Sequence, residues 1–72
     1  MYYKLKASTG AACMAAYWDA EFLGLDPFYL ENHTFELGTG NIEKVSTLIS
    51  KHKLDILVES EHEPTGYKFD RR

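Results

Sequence analysis

A single cysteine, Cys13, in a chain of 72 residues is the feature that most limits what this sequence can fold into. No intrachain disulfide can form, and a reducing, cytoplasmic home is expected. With only three histidines beside it, cysteine-rich zinc modules are excluded. A chain of this length is expected to form one domain over residues 1–72, burying only about 60% of the surface its unfolded form exposes. Domains below about 70–80 residues seldom draw more than about 3–5 kcal/mol from one core. Stability must come from a well-filled core, from a partner, or from a second copy of the chain. Ten aromatic residues are the natural filling, since each can bury about 150–250 Å². No apolar run approaches the roughly 18 residues of a membrane span, and no basic-then-apolar leader opens the chain, so neither is expected.

Periodicity supplies the elements. Tyr3, Leu5 and Ala7 alternate with Lys4 and Lys6, predicting a first strand over residues 2–7. Ser8 and Thr9 are N-cap types, and a run free of Gly and Pro follows from Ala11 to Leu23. Met14, Trp18 and Phe22 recur every four residues with Ala11 and Ala15 beside them, which predicts the buried stripe of a helix. Gly24, Leu25 and Pro27 form a stop signal: a left-handed residue, its hydrophobic contact, and a residue that cannot continue the helix. Phe28–Leu30 is too short to separate a 3₁₀ turn from a strand. Residues 33–37 alternate, with Phe35 and Leu37 on one face, and predict a strand. Asn41 or Thr39 caps a second helix whose inner face is Ile42, Val45, Leu48, Ile49 and His52. Leu54–Glu59 is the strongest strand in the chain, residues 61–66 are a polar turn, and residues 67–72 are a short edge strand or a frayed end.

The expected architecture is therefore α+β: a small two-layer domain in β-α-β-α-β order, with a three- to four-stranded sheet and two helices on one face. The near absence of a loop between the second helix and the next strand suits a right-handed crossover if the strands flanking that helix are parallel neighbours, and the sequence leaves open both the strand order and whether the sheet is parallel or mixed.

Catalytic and cofactor signals are weak. Gly38-Thr39-Gly40-Asn41 lies between a strand and a helix, where backbone N–H groups can hold an anion. It lacks the Lys-Ser/Thr pair of a P-loop and the third glycine of a dinucleotide fingerprint, so a turn with a helix cap is expected and no cofactor is assigned. His33, His52 and His62 share no ligand spacing, and residues 59–63 read as a solvated acidic turn. Cys13, near a helix N-terminus with no histidine close in sequence, reads as a small buried hydrophobe rather than a nucleophile. An enzyme is not expected.

Charge is unevenly spread. From Ala7 through Ile42 there is no Lys or Arg, while Asp19, Glu21, Asp26, Glu31 and Glu36 contribute −5 to a chain whose net charge is −3. Six of the ten aromatics fall in the same stretch. An acidic, aromatic surface steers toward basic partners, and aromatics are enriched in binding hot spots. Tyr17, Asp19, Glu21, Asp26, Tyr29 and Glu31 are the expected contact residues of a non-enzymatic protein-binding module, which would occlude a basic site on another protein. A phage- or plasmid-encoded inhibitor of a host enzyme would suit this profile. The alternative is a self-associating structural domain, a homodimer through a sheet edge or a helix face. A nucleotide or other small-molecule binder using Gly38–Asn41 is a third class. Direct nucleic-acid binding is disfavoured by the negative charge and the scattered basic residues.

Overall fold

The computed structural model describes residues 2–39 and 41–69. It contains β1 (Tyr2–Lys6), α1 (Gly10–Phe22), β2 (Pro27–Tyr29), β3 (Thr34–Leu37), α2 (Ile42–His52) and β4 (Asp55–Ser60). The α+β class holds, with one four-stranded sheet and two helices, but the element order gains a strand. Residues 27–29 pair with β3 as a hairpin, so the fourth strand comes from the middle of the chain rather than from its end. The turn between them uses Asn32 and His33 at φ 59° and 60°. His33 therefore belongs to the turn, and β3 begins one residue later than the alternation predicted.

All three strand pairings are antiparallel, in the order β2-β3-β1-β4. The strands on either side of α2 are not neighbours, because β1 lies between them. Each helix instead carries the chain past a strand: α1 from β1 to an edge, α2 from β3 over β1 to the opposite edge. This is a split β-α-β arrangement, in which two interleaved crossovers fill each other's gaps.

On one face of the sheet, Tyr3 and Leu5 of β1 stand opposite Leu37 and Phe35 of β3. All four are buried, and together they floor the core beneath the helices. Lys4 and Lys6 take the opposite face, as the alternation predicted.

The ends of α1 were legible in the sequence; its orientation was not. Thr9 caps the helix by accepting a hydrogen bond from the Ala12 N–H at 3.1 Å. At the other end Gly24 sits at φ 78°, donating to Glu21, while Leu25 N–H donates to Ala20 at 2.9 Å. That is the Schellman pattern the stop signal called for. The buried stripe, however, is Cys13, Ala16, Tyr17 and Ala20. Phe22 is 82% exposed, Ala11 and Ala15 are exposed, and Trp18 and Met14 are only partly buried. Three small side chains let α1 approach the sheet closely, whereas the Met14–Trp18–Phe22 row would hold it away.

Helix α2 follows its prediction more closely. Asn41 caps it through a side-chain oxygen that accepts from Lys44 N–H at 3.3 Å. Val45 and Leu48 are buried, Ile49 and His52 are half-buried, and only Ile42 turns outward. Lys44 Nζ donates to the Leu23 carbonyl at 3.0 Å, tying α2 to the end of α1.

Residues 61–69 are not a simple turn and edge strand. They form a strap that passes from the end of β4 across the helix-free face of the sheet to β2. Glu36 Oε1 accepts from the N–H groups of Thr65 and Gly66 at 3.0 and 3.2 Å. Tyr67 and Tyr29 then exchange two backbone hydrogen bonds, at 2.7 and 3.1 Å. The crossing requires glycine at position 66, where a Cβ would overlap the Tyr29 carbonyl. Phe69 ends the strap, its N–H donating to Tyr17 Oη at 2.9 Å and its ring packed on Tyr17 and Tyr29. Residues 70–72 of the expected terminal strand lie outside the described residues.

Candidate functional site

Of the six residues singled out from sequence, the fold gathers Tyr17 and Tyr29 on Phe69 and Glu21 and Asp26 on Lys68, sets Asp19 against α2, and leaves Glu31 in the β2–β3 turn, so most are engaged within the molecule. Tyr17 is 1% exposed. It does not project beside the stripe but is part of it, with its hydroxyl holding the strap. Tyr29 is half-buried between Phe69 and Tyr67. Asp19 faces α2, 2.9 Å from His52 Nε2 and 3.1 Å from Lys51 Nζ. The His52 hydrogen bond, opposed by desolvation and reinforced by Lys51, holds its carboxyl below the usual carboxylate range. Glu21 and Asp26 both pair with Lys68 of the strap. Burial pulls the Lys68 ammonium down, but Asp26 and Glu21 outweigh it and hold it above the usual lysine range. Lys68 also lies 4.8 Å from the centre of the Phe28 ring. Glu31, in the β2–β3 turn, is the one of the six whose carboxylate is exposed and has no ion-pair partner among the described residues.

The surface left unsatisfied lies on the opposite edge of the sheet. β4 pairs with β1 along one side, and its other side has no neighbouring strand among the described residues. Between Lys4 and Leu5 the register shifts, so that Ile56 faces Leu5, Val58 faces Lys4, and Leu57 is an extra residue on β4. Such a bulge bends and twists a strand locally. Ile56, Leu57 and Val58 are 47%, 50% and 47% exposed. A six-residue edge strand with three half-exposed branched side chains is the kind of edge that natural sheets usually shield. At the other end of the sheet, β2 is only three residues long and is covered by Tyr67.

The strap accentuates this asymmetry. It crosses the β2–β3 half of the helix-free face and leaves a groove of about 570 Å³ toward β4, floored by Lys4, Lys6, Thr34 and Leu57. Charge along the edge is also ordered. Lys53 precedes β4 at φ 54°; Glu59, Glu61 and Glu63 close and follow it. All four are exposed and carry no ion pair among the described residues. Sequence reasoning found β4 as a strand but missed it as a surface. Its run of branched residues reads equally well as a central buried strand.

Other candidates contribute little. Burial raises the pKa of the Cys13 thiol, which makes it a poor nucleophile. Asn41 uses its side chain as a helix cap, and Gly40 of the candidate anion loop lies outside the described residues. Among the described residues, no group of three or more His, Cys, Asp or Glu could hold a metal ion. No helix among them is long and apolar enough to cross a membrane.

Fold and surface together define a small split β-α-β domain with one protected sheet edge and one bare edge. Comparison with protein-family models, with curated proteins and with solved structures found no match for this chain.

Proposed function

We propose that the chain is a non-enzymatic protein-interaction module that docks an extended segment of a partner along the outer edge of β4. The observation that carries this reading is the bare edge itself: unpaired backbone groups flanked by Ile56, Leu57 and Val58, each about half exposed. Strand addition would supply main-chain hydrogen bonds, and the three aliphatic side chains would supply apolar burial. The acidic end of the edge, Glu59 to Glu63, favours a partner that brings basic residues there. The expectation of a basic partner is thus retained, but its contact surface moves from α1 to β4. An accessory role, such as a phage- or plasmid-encoded modulator covering a basic site, fits the same surface.

Capture from native-host lysate tests the choice of surface. Leu57→Lys should abolish capture while the circular dichroism spectrum stays unchanged, and Glu31→Lys should leave capture intact. The opposite pattern would return the site to the acidic surface beside the β2–β3 turn.

A further inference from the structure

Resting on that reading, we infer that the partner on the β4 edge is a second copy of this chain, joined antiparallel about a twofold axis so that one sheet runs through both copies. The partner that β4 calls for is an extended strand with an apolar middle, a basic start and exposed backbone groups. Residues 53–63 of the chain itself meet that description.

Charge polarity decides the direction. Lys53 stands before the strand, and Glu59, Glu61 and Glu63 stand at and beyond its end, all exposed and without ion pairs among the described residues. An antiparallel copy brings the basic start of each strand to the acidic end of the other, twice per dimer. A parallel copy would set Lys53 against Lys53 and three carboxylates against three. Asp55 and Glu59 work against the antiparallel arrangement, because the register that sets Lys53 against Glu61 also sets Asp55 against Glu59. For Asp55 the opposition is softened within its own sheet. The cross-strand neighbour of Asp55 on β1 is Lys6, which has no ion-pair partner among the described residues and offsets it from behind. Because a twofold contact uses the same patch on both copies, it places the apolar centre of one strand on that of the other.

The opposite edge explains why such pairing stops at two. A sheet with two bare edges would continue into a filament. Here Tyr67 occupies β2 and the strap is held there by Phe69, Lys68 and the Glu36 hydrogen bonds. Among the described residues, only β4 offers an edge free to pair. The driving force is that of a small domain with limited core, which gains by covering aliphatic side chains it cannot cover alone.

Sedimentation equilibrium from micromolar to millimolar concentration tests the dimer. Wild type should dimerise reversibly, and Leu57→Lys should remain a monomer. Lys53→Glu and Glu61→Lys should each weaken the dimer by about tenfold, since each turns two exposed attractive pairs into repulsive ones. Mixed in equal amounts, these two variants should recover wild-type affinity as a heterodimer, because positions 53 and 61 again face opposite charges. Glu63→Lys serves as a second acidic-end variant should Glu61→Lys alter the fold. A wild type monomeric throughout the range, a dimer indifferent to both charge variants, or a mixture that fails to recover would each overturn the inference. If wild type is monomeric yet Leu57→Lys still abolishes capture from lysate, the second copy is excluded while the wider role of the β4 edge stands. If Leu57→Lys changes neither association nor capture, both are overturned.

Discussion

At the scale of single residues, the carboxylates that gave the sequence its acidic character act mainly as ties. Asp19 joins the two helices through His52 and Lys51. Asp19→Asn should cost about 1–2 kcal/mol in urea unfolding, a hydrogen bond to a charged group discounted for partial exposure. The acid dependence follows from the depressed carboxyl pKa. Such a group stabilises the fold fully above its unfolded value, about 3.9, and that contribution is lost as pH falls through the lower native value. Wild type should therefore lose stability below about pH 4, and Asp19→Asn should show a flatter profile there. Tyr17, an expected contact residue, is a buried anchor. Tyr17→Phe removes the acceptor for the Phe69 N–H and should cost about 1–2 kcal/mol. Neither role is visible in sequence, since Tyr17 meets Phe69, and Asp19 meets His52, only after the chain has turned back on itself.

At the scale of elements, the legible parts are those specified by neighbours in sequence. Thr9, Gly24, Leu25 and Pro27 mark the limits of α1 because caps are local chemistry. Which face of α1 is buried is a tertiary decision. The helix is apolar on most sides, so large residues at one spacing and small residues at another offered two stripes, and close packing on the sheet selected the small one. Two substitutions separate these stripes in thermal or urea unfolding. Ala16→Leu should destabilise by about 1–3 kcal/mol by overpacking the contact, while Phe22→Ala should change stability by no more than about 0.5 kcal/mol. Of the two readings of Phe28–Leu30, a 3₁₀ turn or a strand, the structure bears out the strand, but its pairing with β3 was not legible, because three residues carry no readable period and the hairpin turn uses Asn and His, rather than Gly, at positive φ. The strap was missed for a related reason. It has no periodicity, and its partners Glu36, Tyr29 and Tyr17 are distant in sequence.

At the scale of the whole molecule, the split between an acidic first half and a more basic second half was legible, and its main use is internal. Lys51 and Lys68 fold back onto Asp19, Glu21 and Asp26. What remains outward is an imbalance between the two sheet edges. The strap is the device that maintains it, so loosening the strap should change how the protein assembles. Phe69→Ala removes ring contacts with Tyr17, Trp18 and Tyr29. It should lower the melting temperature and convert the proposed closed dimer into concentration-dependent growth of larger species, read by light scattering. A variant that melts earlier but keeps wild-type particle size would show that β2 stays shielded without the strap.

The placement of β1 has one more consequence. This strand is laid down first, yet its neighbours come from the middle and the far end of the chain, Thr34–Leu37 on one side and Asp55–Ser60 on the other. It is a keystone: without it the sheet does not become smaller but separates, leaving the β2–β3 hairpin and β4 with nothing between them. Folding must then wait for contacts between remote parts of the chain, which places this mixed α/β domain behind helical bundles of the same size in folding speed. A chain trimmed to start at Ala7 should remain unfolded by circular dichroism, and a synthetic peptide supplying the missing strand should restore the native spectrum in trans.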